Sequence, residues 1–358
     1  MKRFLILFAA AAMFASCNSN TNVTTGDKSQ LDTLSYAIGT NIGQSLQFQL
    51  RMIPLNYDEL CKGLEDAAFD RASMDVAEVG EILNDYMMNK RMERSRKIMK
   101  ERREADSIRL ANGDSTRVEY PVADPAMFES EKERDQVSYA FGVNFGSGFG
   151  ELEDNIQIYW VKRGIMDIYE ETPRVEIPTL HKFLQNHFMI VIPTRNREAS
   201  EKWLAEIAKK EGVQTTESGL VYKIVEPGDM NVKANDARDV VKVHYKGTKR
   251  DGKVFDASRF ADMPKQRQEA LKAQFPDNFD KDEPVEFPLN RVIKGWTEGM
   301  QLVGKGGKII LWIPADLAYG PRGNRGIGGN EALCFEVELI DVTPYVEPAP
   351  EVEAPEEE

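Results

Sequence analysis

Five stretches between residues 240 and 342 decide how this chain is read. They are V-H-Y-K-G at 243–247, G-K-V-F-D-A-S at 252–258, E-F-P-L-N-R-V-I-K-G-W at 286–296, I-P-A-D-L-A-Y-G at 313–320 and A-L-C-F-E-V-E-L at 332–339. Side chains two apart on a strand share a face. Val241, Val243 and Tyr245 therefore turn one way, and so do Leu333, Phe335, Val337 and Leu339 on the last strand. With Phe255, Val292, Ile293, Trp296 and Tyr319 added, this predicts a pocket almost wholly aromatic and aliphatic. Its polar atoms are few: the Asp256 carboxylate, two phenol hydroxyls and some backbone N–H groups. Taken singly, each inward aromatic reads as ordinary sheet core. The ordered set reads as a site.

Those motifs, in that order and spacing, resemble the FKBP-type peptidyl-prolyl cis/trans isomerases over residues 215–344. The resemblance implies a twisted antiparallel half-barrel sheet wrapped around one short helix, and catalysis of X-Pro isomerisation without cofactor or metal. It implies Trp296 as pocket floor and Tyr245, Phe255, Phe335 and Val292 as walls. Ile293 would offer its N–H to a substrate carbonyl, Tyr319 would hydrogen-bond the substrate, Ile327 would touch it from a flap, and Asp256 would act electrostatically at the rim. Two segments depart from the family pattern. Residues 260–282 are much longer than the usual loop after F-D-A-S, which suggests a lid or a substrate-specific surface at the rim. In the flap, residues 320–330, glycines 328 and 329 follow Ile327 where the family usually has prolines, which predicts a more flexible flap. A phosphate-loop reading of these glycines fails, because no G-K-[ST] is present and a strand follows them.

At 358 residues the chain suits two or three domains. A net charge of −13 argues against nucleic acid as a partner. Lys2 and Arg3 precede an apolar run over residues 4–15, too short to span a bilayer. The run ends in F-A-S-C, which resembles a bacterial lipobox with Phe14 where leucine is usual. This predicts a signal peptide over residues 1–17, a lipid on Cys17 and a flexible tether over residues 18–30. Cys61 lies on an apolar helical stripe and Cys334 on the outward face of the last strand, so neither a disulfide nor a metal site is expected.

Upstream of the pocket the chain repeats itself. L-S-Y-A-I-G-T-N-I-G at 34–43 returns as V-S-Y-A-F-G-V-N-F-G at 137–146, and G-L-E-D at 63–66 returns as G-I-M-D at 164–167. Each copy reads as three helices, with Asn56 and Asp75 as N-caps in the first. Glycine pairs one turn apart, 39 with 43 and 142 with 146, cost about 1 kcal/mol per residue in a helix interior and so signal close approach by another helix. Both copies resemble the helical dimerisation domain that precedes the isomerase domain in the macrophage infectivity potentiators, which carry it once.

The fold class expected is α+β multidomain, with two all-α repeats followed by the antiparallel half-barrel. The domains run 31–110, a linker at 111–134, a second helical copy with its connecting helix at 135–212, the isomerase domain at 213–345, and a disordered acidic tail at 346–358. The function expected is isomerisation during folding of exported, proline-containing polypeptides, by a protein lipid-anchored in the bacterial envelope at the periplasmic face of the outer membrane. A chaperone that binds clients through its helices, and a scaffold for proline peptides, are the competing readings. The two copies predict an intramolecular pseudo-dimer in a monomer, in preference to a homodimer.

Overall fold

The computed structural model describes residues 23–152, 154–324 and 326–347. These fall into two compact units, residues 1–186 and 187–358. The expected signal peptide, Cys17 and most of the acidic tail lie outside the described residues.

The first unit contains α1 (Thr33–Leu50), α2 (Tyr57–Ala68), α3 (Val76–Asp85), α4 (Arg91–Ala111), α5 (Glu131–Gly146), α6 (Ile158–Tyr169) and α7 (Ile177–Asn186). Asp32, Asn56, Asp75 and Ser130 cap four of these helices by accepting backbone N–H groups of the first turn. Pairing crosses between the copies: α1 packs on α6, and α2 on α5. The repeated motifs recognise each other across that crossing. The Tyr36 hydroxyl donates to Asp167 at 2.9 Å, and its counterpart Tyr139 donates to Asp66 at 3.0 Å. The backbone N–H of Gln157 donates to Ser35, and that of Asn56 to Ser138. S-Y-A of each copy thus reads the start and the G-x-x-D of the other copy's second helix.

The glycines make the crossing possible. A Cβ on Gly142 would lie 2.0 Å from the Leu60 carbonyl oxygen, and one on Gly39 2.1 Å from that of Val161. Helices in van der Waals contact at the backbone leave no room for it. Across the crossing runs a core that includes Leu46, Leu60, Leu64, Phe141, Phe145, Val161 and Ile165.

The tether is shorter than expected. Val23–Thr24 (β1) pairs in parallel with Ile156–Gln157 (β2), Tyr159 N–H donates to Thr25 O, and the Trp160 indole donates to Asp27 O at 2.8 Å. These bonds satisfy backbone groups that a solvated tether would leave to water. The linker after α4 is likewise held. Arg102 binds Asp124 at 2.7 Å, the Tyr120 hydroxyl donates to Asp106, and Arg94 forks onto Glu133.

The second unit opens with α8 (Ile192–Ala208). The strands that follow are β3 (Gln214–Thr215), β4 (Val221–Glu226), β5 (Asp229–Lys233), β6 (Val240–Lys249), β7 (Val254–Ala257), β8 (Val285–Pro288), β9 (Gly304–Lys305), β10 (Lys308–Ile313) and β11 (Leu333–Thr343). Two short helices intervene, α9 (Lys265–Gln274) and α10 (Lys294–Gly299). The main sheet is antiparallel in the order β3-β4-β10-β11-β6-β7, and β8 pairs with the other half of β6. Helix α10 packs on β10 and brings Trp296 into a core shared with Leu311, Leu333, Phe335 and Val337. This is the expected half-barrel wrapped on one short helix.

The connecting helix packs within this unit, on the flap before β11. It covers one end of β11, where Ala332 is fully buried and donates its N–H to Ser200 Oγ.

Candidate active site

Alternation along β6 and β11 and the first turn of α10 converge on one aromatic cluster. Trp296 is 4 % exposed, and three rings meet its indole edge-on: Tyr245 at 5.4 Å, Phe335 at 5.3 Å and Phe287 at 5.8 Å between centroids. Phe255 stands edge-on to Phe335 at 5.5 Å. These T-shaped contacts suit the quadrupoles of the rings and fix their faces. Val292, Ile293, Tyr319 and Ile327 pack against the same core. All the expected apolar site residues are therefore brought together.

Phe287 belongs to this cluster and the sequence reading did not assign it. Its signal was present in E-F-P, where it is the inward residue of β8 opposite Val241.

Polar groups gather at one side. The Tyr245 hydroxyl donates to Asp256 Oδ2 at 2.7 Å. Burial, and then that carboxylate, hold the Tyr245 phenol well above its usual pKa, so it stays a neutral donor. Asp256 Oδ1 accepts from the Ala257 N–H at 3.0 Å and from the Arg267 guanidinium at 2.6 Å. Arg267 comes from α9, inside the long segment after F-D-A-S. That segment is closed on itself by Phe260 N–H donating to Asp282 and by Phe260 packing edge-on to Phe279.

Ile293 is the N-cap of α10. Its carbonyl accepts from Trp296 and Thr297, while its own N–H has no acceptor among the described residues. The Tyr319 hydroxyl likewise has no partner among the described residues. Two donors thus belong to residues packed against the aromatic cluster. No group of at least three His, Cys, Asp or Glu side chains that could hold a metal occurs among the described residues. Burial raises the thiols of Cys61 and Cys334 to about 11.

The family description "FKBP-type peptidyl-prolyl cis-trans isomerase" matches residues 232–340, the stretch that holds this cluster. The chain belongs to that family. A second description, "domain amino terminal to FKBP-type peptidyl-prolyl isomerase", matches twice, at 31–118 and 134–224, in register with the two helical copies. The FKBP-type peptidyl-prolyl cis-trans isomerase FkpA of Aeromonas hydrophila is 32% identical over 259 residues, covering 68% of this chain and 87% of that one. The FKBP-type 22 kDa peptidyl-prolyl cis-trans isomerase of Escherichia coli K12 is 36% identical over 217 residues, covering 58% and 94%. FkpA of the same strain is 41% identical over 159 residues, covering 44% of this chain and 49% of its own length. The chain is a peptidyl-prolyl cis-trans isomerase of the FKBP type.

Proposed function

We propose that the enzyme isomerises X-Pro bonds of exported polypeptides by binding the prolyl ring on the Trp296 indole, with Tyr245, Phe255, Phe287, Val292 and Phe335 around it. The observation that carries this reading is the indole walled edge-on by three rings, with Asp256 tied to Tyr245 at its rim.

The barrier to rotation about an X-Pro bond is about 18–20 kcal/mol and is mostly amide resonance. Water stabilises the planar, dipolar amide more than the twisted one. A dry aromatic pocket removes that advantage and lowers the barrier without bond making or breaking. The Ile293 N–H and Tyr319 hydroxyl would hold the carbonyls flanking the proline, so that rotation is confined to one bond. Asp256 need move no proton. Its charge and its bond to Tyr245 orient the rim.

The F-A-S-C sequence supports lipidation of Cys17 and attachment to a membrane of the bacterial envelope. No described helix is long and apolar enough to cross a membrane. The crossed pairing of the two helical copies supports a monomer, because the face that a single copy would offer to a second chain is already covered.

An isomerase assay by NMR exchange, on protein lacking its first seventeen residues, tests the reading. The expected result is accelerated exchange of an Ala-Pro peptide, reduced on Trp296→Leu while circular dichroism stays native. Folded protein that leaves the exchange rate unchanged would overturn it.

A further inference from the structure

The flap that carries Ile327 and follows Tyr319 was expected to be loose, because glycines replace the usual prolines. In the structure it is bolted to α8. Asn196 and Ser200, 2 % and 4 % exposed, are polar side chains of α8 with no role in the apolar core. Asn196 Nδ2 donates to Gly329 O at 3.1 Å. Ser200 Oγ donates to Asn330 O at 3.0 Å and accepts from Ala332 N–H at 2.9 Å. The flap answers in kind: Asn330 Nδ2 donates to Pro193 O at 3.0 Å, and Arg197 donates to Asn330 Oδ1. Arg250 ties both sides, reaching Glu331 at 3.2 Å and Asn196 Oδ1 at 3.4 Å.

The glycines serve closeness here. A Cβ on Gly328 would lie 2.7 Å from Asn196 Nδ2, and one on Gly329 would lie 2.2 Å from Pro321 O and 3.3 Å from the Pro193 ring. Asn330 adopts a left-handed φ of +59°, which brings its side chain back to α8 while its N–H closes the loop onto Gly320 O. Tyr319 stands one residue before that closure. Ile327 is locked by mutual backbone bonds with Asn324 and stands two residues before the Asn196 contact.

We propose that Asn196 and Ser200 are positioning residues for the isomerase reaction, acting as a latch that holds the flap so that Tyr319 and Ile327 face the bound peptide. The inference rests on the site reading above for Tyr319 and Ile327. It assigns to the connecting helix a part in the active site beyond that of a spacer. Removing either side chain leaves backbone groups of the flap, buried at Ser200 and partly buried at Asn196, without these partners, and their cheapest remedy is to swing out to water.

The test uses the full chain, with Asn196→Ala and Ser200→Ala made singly and Ser200→Thr as the variant that keeps the hydroxyl. Amide hydrogen exchange followed by mass spectrometry reads residues 320–331 against β6 and β11. The expected result for the two alanine variants is faster exchange in the flap alone. It comes with a kcat/KM lowered roughly tenfold, as fits the loss of one or two hydrogen bonds that are buried or partly buried. The loss is carried by kcat and varies with the residue before proline. Ser200→Thr restores both readouts. If Ser200→Ala also loosens β6 and β11, Asn196→Ala decides. Unchanged flap exchange overturns the latch, and so does a loosened flap with unchanged kinetics. Failure of the site reading shows separately, as full activity in Phe255→Ala.

Discussion

Arg267 Nη1 lies 2.6 Å from Asp256 Oδ1, while the Tyr245 hydroxyl holds Oδ2 of the same carboxylate at 2.7 Å. The rim acid is therefore clamped between a pocket phenol and a cation supplied by the long segment after F-D-A-S. Arg267 is about half exposed, so the pair contributes at most about 1 kcal/mol to stability. Its expected influence is on substrate. Arg267→Ala should leave the melting temperature nearly unchanged and lower activity on an unfolded protein more than on a tetrapeptide. Arg267→Glu sets a like charge beside Asp256, so its kcat/KM should fall more at low salt than at high salt. Equal kinetics for both variants at every ionic strength would remove α9 from the site.

The aromatic floor gives a second expectation. Trp296→Leu keeps an apolar side chain but removes the indole that three rings meet edge-on. Phe255→Ala opens one wall at the partly exposed side of the cluster. Both should reduce kcat/KM by one to two orders of magnitude, about 1.4 kcal/mol for each tenfold. Phe287→Ala should behave like them. Peptide kinetics beside near-ultraviolet circular dichroism separate loss of catalysis from loss of packing.

What the sequence disclosed, and what it hid, follows from the reach of the signals. Alternation in β6 and β11 named two of the inward rings, and the recurring S-Y-A and G-x-x-D stretches marked a duplicated helical module, because period and recurrence are visible along the chain. The Arg267–Asp256 pair and the Asn196 and Ser200 bonds to the flap have no period. They join residues up to 133 positions apart through polar atoms, and a surface arginine or a helical asparagine looks the same in sequence whether or not it finds such a partner. Glycines 328 and 329 misled for a related reason: glycine marks both freedom and close contact, and only the neighbour tells them apart.

His244 gives a pH expectation. It lies 3.1 Å from Ser258 Oγ, and burial, then the charge of Arg259, lower its pKa below 6.5, with Glu338 and Asp282 acting the other way. The unfolded chain therefore binds the proton more readily than the folded one. Its contribution to stability is complete above pH 6.5 and is lost as pH falls through the folded pKa. Urea denaturation between about pH 7.5 and about pH 5, from about one unit above an ordinary histidine pKa to about one and a half units below it, should show that decline. His244→Gln should flatten it. A slope identical in the two proteins would assign the acid sensitivity elsewhere.

The crossed helices give the last expectation. Gly142→Ala drives a methyl to within 2.0 Å of the Leu60 carbonyl oxygen and must part α2 from α5, at a cost of at least about 1–3 kcal/mol. Gly80, exposed in α3 with nothing within 4 Å, is the matched control, where alanine should stabilise by about 0.5–1 kcal/mol through helix propensity. If the crossing forms within one chain, Gly142→Ala lowers the melting temperature by the same amount at every protein concentration. Light scattering behind size exclusion, on protein without the first seventeen residues, then reports one chain mass, near 40.5 kDa less that segment. If two chains exchange their copies, the loss grows on dilution and the mass doubles. The paired bonds Tyr36–Asp167 and Tyr139–Asp66 would then join separate chains, and a variant disabled in both copies would lose its dimer rather than only its stability.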